Sequence, residues 1–183
     1  MDVNIWKNTI IEERNQKDLF FKNHSDSPIP FFYRQQFSGL NYYPPDPDVQ
    51  FELKLHEHNE KKILKINDTK GNVRKFFRWG EFLFRIKGEE CVLQAYKSHS
   101  GEEGLFVPFR DKTSGKETYG AGRYIDLDVG EHYTTDGKWI LDFNKAYNPW
   151  CAYSEYYACP YVEPENWLKV TVYAGEKKYL TMD

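Results

Sequence analysis

The chain has few sulfur-containing residues, and it lacks any long run of apolar residues or of charges of one sign. Its 183 residues include three cysteines and two methionines. A small, odd number of irregularly spaced cysteines does not fit a secreted disulfide framework and is typical of a reducing compartment. No apolar stretch approaches the roughly 20 residues that span a bilayer, and the first residues lack the basic and apolar regions of a signal peptide. We therefore expect a cytoplasmic protein without a membrane partner.

The charge balance and the missing short motifs exclude further classes of function. The 25 Lys and Arg residues against 28 Asp and Glu residues give a net charge of −3, with no basic arm. Nucleic acid is therefore not an expected partner, because phosphate binding needs a surplus of positive charge. The GxSxG, HExxH, P-loop and EF-hand patterns are also absent. Their absence removes several enzyme classes without deciding whether the protein is an enzyme.

Aromatic residues are abundant: they make up 17% of the chain and alternate with polar residues. Alternation with period two is typical of half-buried strands, and short strands at even spacing indicate a barrel or a sandwich. Asp2 predicts the start of a helix running to about Asn23. We expect residues 1–27, which contain this helix, to pack on a single β domain formed by residues 28–183. The domain should be mainly antiparallel, and of the two architectures we prefer the barrel-like one. The predicted strands are 50–58, 61–67, 73–79, 81–86, 90–97, 105–109, 118–128, 138–144 and 167–174.

One long segment, residues 141–176, fits neither a helix nor a continuous strand. Pro149, Pro160 and Pro164 interrupt it, since proline fixes φ and removes an N–H donor. Loops of this length are usually either functional or disordered, and disordered segments are poor in aromatic residues. This segment is rich in tyrosine, so we expect it to be packed and to be the best functional candidate.

The string Gly120-Ala121-Gly122-Arg123 precedes this segment within a predicted strand. Two glycines in a strand indicate a bulge or a close approach of another chain segment. Period two places Arg123 on the apolar face with Ile125 and Leu127, where an unpaired guanidinium is costly. Its partner is either an internal carboxylate, for which Asp111, Glu117, Asp142 and Glu165 are candidates, or an anionic ligand. We favour the internal carboxylate.

Asp142, Asn144, Tyr147 and Asn148 follow where the strand runs into the long segment. Asn side chains commonly cap loop backbone, which is one interpretation of both asparagines. The other interpretation is a group of fixed donors and acceptors around a small polar ligand. The sequence favours neither for the group as a whole.

The cysteines and histidines allow several chemical roles. Cys151 and Cys159 have the spacing neither of a zinc site nor of a known nucleophile motif, so inert buried thiols are the first expectation. A Cys151 nucleophile, with His132 as the nearest histidine in sequence, a disulfide or a metal site are the alternatives. His56 and His58 share a strand face with charged residues, so that face should be solvated. We therefore expect no metal site.

Several uncommon strings occur in an order that resembles the family of domain of unknown function 1684, over about residues 6–177. They are FSGLNYYPPDPDVQFELKL (37–55), FRDKTSGKETYGAGRYIDL (109–127), LDFNKAYNPWCAY (141–153), CPYVEPENWL (159–168) and AGEK (174–177). The chain resembles the short form of the family, which lacks an extra N-terminal module. It departs from the family pattern at Trp150 and at Tyr161-Val162, where relatives are richer in proline. The resemblance implies no activity. The hallmark positions that it implies are Gly120, Gly122, Arg123, Asp142, Asn144, Tyr147, Asn148, Cys151, Cys159, Pro160 and Asn166.

Taken together, these features predict a pocket for a small, anionic, polar molecule at the strand-to-loop junction, residues 120–166. In an enzyme, Cys151 would be the nucleophile or Asp142 the general base. The alternative is a non-enzymatic domain in which the same residues form a buried polar network and exposed aromatics bind a protein. Neither a cofactor nor an oligomeric state is indicated. The predicted ligand-binding residues are Arg123, Asn144, Tyr147, Asn148, Tyr119 and Asn166.

Overall fold

A single long helix, α1 (Val3–Asn23), begins the structure, a computed structural model that describes residues 2–99 and 103–179. The side chain of Asp2 accepts hydrogen bonds from the first free N–H groups of the helix, those of Asn4 and Ile5, and so caps it. The helix buries Trp6, Ile10 and Phe21 on one side. The helix predicted from the sequence is therefore confirmed. No helix in the described part of the chain has the length and apolarity needed to cross a membrane.

The rest of the fold consists mainly of antiparallel strands in two sheets. A large sheet has the order β2-β4-β5-β6-β7, with β3 also paired to β4, and β1 pairs with β8 in a second sheet. A short helix, α2 (Val129–His132), follows β7. The strands are β1 (Gln50–Leu53), β2 (His56–Glu57), β3 (Ile63–Asn67), β4 (Val73–Ile86), β5 (Glu89–Ser98), β6 (Leu105–Phe109), β7 (Arg123–Leu127) and β8 (Trp139–Asp142).

The main core lies between the two sheets. Leu141 of β8 packs in one cluster with Phe82 of β4, Leu93 of β5 and Ile125 of β7. The sheets are not closed into a barrel, so the preferred barrel-like closure is not what the structure shows, and the sandwich alternative describes the layers better. Mainly antiparallel β architecture with one N-terminal helix is confirmed.

Several predicted strand boundaries were wrong for identifiable reasons. The strands predicted at 73–79 and 81–86 form one strand, β4, with an irregularity in its pairing to β5 between Arg78 and Gly80. The strand predicted at 118–128 begins only at Arg123, because residues 118–122 form turns. The strand predicted at 50–58 is broken into β1 and β2. Residues 167–174 form no strand at all.

The long segment that follows β8 packs in two places. Leu168 and Val172 lie in the core between the sheets, and Cys159 and Val162 pack on Tyr124 at the outer face of the large sheet. It contains short 3-10 turns at Phe143–Lys145, Trp150–Ala152 and Pro164–Asn166 but no strand. Residues 147–160, which we call the bridging segment, cross the outer face of the large sheet. Tyr147 pairs with Tyr124 of β7 at one end, and Pro160 pairs with Asp68 of the β3–β4 hairpin at the other.

Candidate functional site

The structure does not bring the predicted site residues together in one pocket. It distributes them among a buried network around Arg123, a second network under α1, a clamp on β5 and β6, a cysteine pair, and a groove on the outer face of the large sheet. Each of these places has its own geometry and chemistry.

Arg123 is completely buried, and its hydrogen bonds go to the protein itself. The guanidinium donates to the backbone carbonyl of Val172 at 3.1 Å and to the carbonyls of Ala174 and Glu176. It also pairs with Asp111 at 3.4 Å. Asp111 in turn accepts the N–H of Val172 at 2.7 Å. Arg123 thus holds residues 172–176, which we call the C-terminal segment, in place. These contacts favour the internal-carboxylate interpretation over a ligand.

Asn148 is held in the same region by Glu176, which is also completely buried. The carboxylate of Glu176 accepts the backbone N–H and side-chain amide of Asn148, at 3.2 and 3.1 Å, and the hydroxyl of Tyr153. Lys17 of α1 completes its partners at 2.9 Å. Glu176 therefore ties the helix, the bridging segment and the C-terminal segment to one carboxylate. Glu176 lies in the AGEK string that resembles the family, but it was not among the predicted site residues.

Burial raises the pKa of Glu176, and the nearby ammonium of Lys17 opposes that rise. A carboxyl group with a raised pKa in the folded state binds more protons than it does in the unfolded chain, so stability falls as the pH rises from the unfolded pKa through the folded pKa. We expect the wild-type protein to lose stability over this interval relative to Glu176→Gln. Urea unfolding of both proteins at pH values from 4 upward checks this. A difference between them that is independent of pH would contradict it.

Asp142 and Asn144 belong to a different network, which joins α1 to β1 and β8. The buried carboxylate of Asp142 accepts from Trp6 Nε1 at 3.3 Å, from Gln50 Nε2 at 2.8 Å and from the backbone and side chain of Asn144 at 2.8 Å. The side chain of Asn144 also bonds both backbone groups of Asp46. A carboxylate saturated by protein donors is poorly placed to take a proton from a substrate. The catalytic role of Asp142 stays a prediction without support from these contacts.

Asn166 takes the place of a strand neighbour for β5 and β6. Its side chain accepts from the N–H of Gln94 at 2.8 Å and donates to the carbonyls of Gln94 and Pro108, at 2.9 and 2.7 Å. It is completely buried. β5 and β6 pair only briefly, at Tyr96 and Phe106. The Asn166 side chain supplies hydrogen-bond partners for backbone groups of Gln94 and Pro108 that lie beyond this pairing.

Tyr147 lies on the wall of a large groove, which we call the outer groove. It has a volume of about 1330 Å³ and lies on the outer face of the large sheet beside the bridging segment. Its floor is a row of rings from β4, β6, β7 and the bridging segment, with centroids 5.4 Å apart for Phe76 and Phe106, 4.8 Å for Phe106 and Tyr124, and 5.9 Å for Tyr124 and Tyr147. The first pair is stacked at 22° and the other two meet edge to face at 79° and 87°, so the groove offers both ring faces and ring edges to a ligand.

Charges stand at the two ends of this floor. Arg74 of β4 is at one end, where it donates to the carbonyl of Ala158 at 2.7 Å and pairs with Asp68 at 3.5 Å while about half of its side chain stays exposed. Asp126 and Asp128 are at the other end. The hydroxyl of Tyr147 donates to Asp126. Burial and this carboxylate together raise the pKa of Tyr147, so the tyrosine stays neutral.

Cys151 and Cys159 are free thiols that contact each other within the bridging segment. The backbone N–H of Cys151 lies 3.4 Å from Cys159 Sγ. The hydroxyl of Tyr119 lies 3.7 Å from Cys151 Sγ, so Tyr119 also belongs to this cluster. A hydrogen bond from the Cys159 thiol lowers the pKa of Cys151 to about 7, with burial opposing the change and Tyr119 supporting it. These hydrogen bonds join the cysteines to each other, to Tyr119 and to Thr69, and none of them involves His132.

The end of the groove also holds the one group of potential metal ligands found among the described residues. Single ligand atoms of Asp128, Glu131 and His132 lie within 4.8 Å of one another. The Nδ1 atom of His132 already accepts the N–H of Asp128 at 3.1 Å, which leaves Nε2 as its available nitrogen. The two carboxylates are exposed, as acidic groups at surfaces commonly are without binding a metal. The sequence analysis did not single out this group.

The sequence analysis also missed most of the outer groove, although a signal was present. Tyr124, Asp126 and Asp128 alternate with Ile125 and Leu127 along β7. The apolar positions drew attention to the core face. The same period of two places the tyrosine and the carboxylates together on the opposite face, where the groove lies.

Comparisons with known proteins point to a family without an assigned activity. No protein with a curated description matches the chain. The solution NMR structure of an uncharacterized protein from Haloarcula marismortui is similar, with 37% sequence identity, a TM-score of 0.72 and coverage of 96% of each chain. The family described as "Protein of unknown function (DUF1684)" matches residues 35–177. The chain therefore belongs to the DUF1684 family, as its sequence motifs predicted.

Proposed function

We propose that the protein binds a small molecule in the outer groove. The ligand has a flat apolar body, an anionic group directed at Arg74, and a cationic or hydrogen-bond-donating group directed at Asp126 and Asp128. The observation that carries this proposal is the row of aromatic rings with charges of opposite sign at its two ends.

The aromatic floor supports a flat ligand because ring faces attract other rings and cations. Phe76 and Tyr124 are nearly buried by their neighbours, so their positions are fixed before a ligand arrives. A preformed surface costs little ordering on binding. Trp150 and Tyr157, which stack edge to face at 5.0 Å, add a second aromatic wall on the bridging segment.

The charges support a ligand that carries both signs. A guanidinium forms charge-assisted hydrogen bonds with a carboxylate or phosphate, and about half of the Arg74 side chain stays exposed while its Nε and Nη2 atoms bond Asp68 and Ala158. The anionic group that the sequence analysis assigned to Arg123 is therefore assigned here to Arg74, since Arg123 is enclosed by protein carbonyls. Asp126 and Asp128 disfavour a ligand that is anionic at both ends.

Most of the other predicted site residues act in this proposal as supports of the groove. Asn148 fixes the bridging segment and Arg123 fixes the C-terminal segment, while Asn144 holds the end of β8 and Asn166 joins β5 to β6. Tyr147 is the predicted ligand-binding residue that reaches the ligand itself. A covalent role of Cys151 in a reaction is not part of the proposal.

Binding of phenylalanine, which carries both charges beside a ring, is expected to exceed binding of phenethylamine and of 3-phenylpropanoate. Arg74→Ala should weaken phenylalanine binding by roughly tenfold or more, because a charge-assisted hydrogen bond is lost. Saturation-transfer difference and ¹H–¹⁵N correlation NMR spectra of the full chain measure the binding and locate the affected residues.

Arg85→Ala is the matched control, since Arg85 lies on the same strand but is exposed and pairs with Glu90 away from the groove. Asp126→Asn is a second variant that keeps an acceptor for Tyr147 and removes the charge; it should weaken phenylalanine and leave 3-phenylpropanoate unaffected. Equal losses for Arg74→Ala and Arg85→Ala, or no shifts among groove residues with any of the three compounds, would overturn the proposal.

The second candidate is the non-enzymatic interaction domain, which one observation favours. Arg123, Asn148 and Glu176 form a buried network without an accessible polar face. In this case the exposed aromatics of the bridging segment, such as Tyr156, would contact a protein partner. This candidate predicts that none of the three compounds perturbs the groove.

A further inference from the structure

The bridging segment contains two thiols whose contacts differ from those of the third cysteine. Cys91 lies in the core between the sheets, where its thiol donates to the Glu89 carbonyl at 3.6 Å. Cys151 and Cys159 instead lie outside this core, where Cys159 is buried against Tyr124 and Val162 and lines the outer groove. Cys151 is only half-buried. The backbone N–H of Cys151 donates to Cys159 Sγ at 3.4 Å, although Cys151 lies in the 3-10 turn at Trp150–Ala152 and Cys159 lies outside it.

We propose that Cys151 and Cys159 are a redox-active dithiol that a hydroperoxide converts into a reversible Cys151–Cys159 disulfide. Two observations carry this: the backbone N–H of Cys151 donates to Cys159 Sγ at 3.4 Å, which places the two residues side by side, and the hydroxyl of Tyr119 lies 3.7 Å from the half-buried Cys151 Sγ. The proposal does not depend on the ligand of the outer groove.

The immediate surroundings of Cys151 stabilise its thiolate, which is the form that reacts with peroxides. The thiol of Cys159, the hydroxyl of Tyr119 and the hydroxyl of Thr69 all lower the pKa of Cys151, whereas burial raises it. The hydrogen bond to Cys151 and burial raise the pKa of Cys159. The pair therefore has one reactive thiolate and one protonated thiol beside it, which is the arrangement that an attacking and a resolving cysteine need.

The reaction consists of two balanced steps. The Cys151 thiolate attacks the terminal oxygen of the hydroperoxide; the S–O bond forms, the O–O bond breaks, and the alkoxide or hydroxide leaves as an alcohol or water after taking a proton. Cys159 then loses its proton and its sulfur attacks Cys151; the S–S bond forms, and the S–O bond breaks with release of water. The hydroperoxide is reduced by two electrons, and the two thiols are oxidised by two electrons.

The positions of the two cysteines predict that oxidation changes the outer groove. Cys159 is anchored to the β3–β4 hairpin, because its N–H donates to Thr69 Oγ1 at 3.2 Å and its carbonyl accepts the N–H of Thr69 at 3.0 Å. Cys151 lies in the 3-10 turn at Trp150–Ala152. Drawing the sulfurs to the bonding distance of about 2.05 Å must therefore displace this turn more than the hairpin. Trp150, which lines the groove, would move with it.

The test treats the reduced full chain with equimolar hydrogen peroxide and then alkylates the remaining thiols after unfolding. We expect a monomer that has lost the mass of two hydrogen atoms, keeps only Cys91 alkylated, and yields a linked pair of peptides containing Cys151 and Cys159. Dithiothreitol should restore all three thiols. Oxidation no faster than that of free cysteine, or a disulfide formed between two chains, would overturn the proposal.

Three variants separate the roles of the individual residues. Cys159→Ser should accumulate a sulfenic acid at Cys151, which dimedone traps, whereas Cys151→Ser should yield no dimedone adduct and no disulfide. Tyr119→Phe is a positioning variant that should move the pH of half-maximal Cys151 alkylation upward from about 7. Cys91→Ala is the control and should form the disulfide at the wild-type rate. Equal dimedone labelling in Cys159→Ser and Cys151→Ser would contradict the assignment of Cys151 as the attacking thiol.

Discussion

Replacing Arg123 by alanine should lower the free energy of unfolding by about 3–5 kcal/mol, the usual cost of removing one partner of a buried ion pair. The substitution leaves the buried carboxylate of Asp111 without its cation. It also removes the donor for three backbone carbonyls of the C-terminal segment. Urea unfolding followed by tryptophan fluorescence and far-UV circular dichroism measures the loss.

Arg85→Ala is the matched control for this substitution. Arg85 is exposed and pairs only with an exposed Glu90, so its removal should cost less than about 1 kcal/mol. The double variant Arg123→Met/Asp111→Asn should be less destabilised than the sum of the two single variants, because it no longer buries a lone charge. Loss of less than 1 kcal/mol in Arg123→Ala, or strict additivity in the double variant, would show that the pair does not hold the segment.

Arg123 also explains why the last strand predicted from the sequence does not exist. Along residues 167–174 the apolar positions Leu168, Val172 and Ala174 are buried and alternate with more exposed ones, so the period of two was real. In the first half of this segment, however, Leu168 and Val170 bond the backbone of Arg110 and Lys112, which lie beyond the end of β6. In the second half, the backbone groups of Val172 and Ala174 bond the side chains of Arg123 and Asp111 rather than a neighbouring strand. A period of two reports which side of an extended segment is buried, and it does not report what the backbone bonds to.

The parts of the fold that were predicted correctly depend on local physical rules. The cap at Asp2 and the apolar positions of α1 lie within a single helix, and the neighbouring strands predicted at 61–67 and 73–79 pair with each other as β3 and β4. β6, whose five residues are all apolar, has the boundaries that the sequence indicates. Closure of the sheets depends instead on contacts between distant strands, and the sequence pattern does not encode these directly.

The candidate site was predicted only in its position along the chain. Residues 120–166 do border the outer groove, but Asp142, Asn144 and Asn166 were grouped with Tyr147 because they are near it in sequence. In space, Asp142 lies under α1 and Asn166 under β5. Arg74, on a distant strand, reaches the bridging segment through Ala158. Polar hallmark residues in a long segment thus indicated mainly where the backbone needed hydrogen-bond partners.

Replacing Gly122 by alanine should destabilise the protein by about 2–5 kcal/mol, as the sum of a left-handed backbone penalty and of overpacking. Gly122 has a φ of +105°, which residues with a Cβ rarely adopt. A Cβ atom there would lie 2.6 Å from the Phe109 carbonyl oxygen and 2.7 Å from a methyl group of Val162. Since Phe109 pairs with Arg123 across β6 and β7, relief of this clash would also pull Arg123 away from the C-terminal segment.

Gly120→Ala is the control within the same string. It separates the effect of a steric clash at Gly122 from the effect of replacing any glycine in this string. A Cβ atom on Gly120 would lie no closer than 3.6 Å to Gly115, which is an ordinary contact, and its φ is outside the left-handed region. This variant should therefore unfold within about 1 kcal/mol of wild type. Thermal and urea unfolding of the two variants measure the difference. Equal stabilities would mean that residues 118–122 can shift without disturbing β7. A lower stability of Gly122→Ala than of Gly120→Ala would show that Gly122 sets the distance between β7, which carries Arg123, and β6.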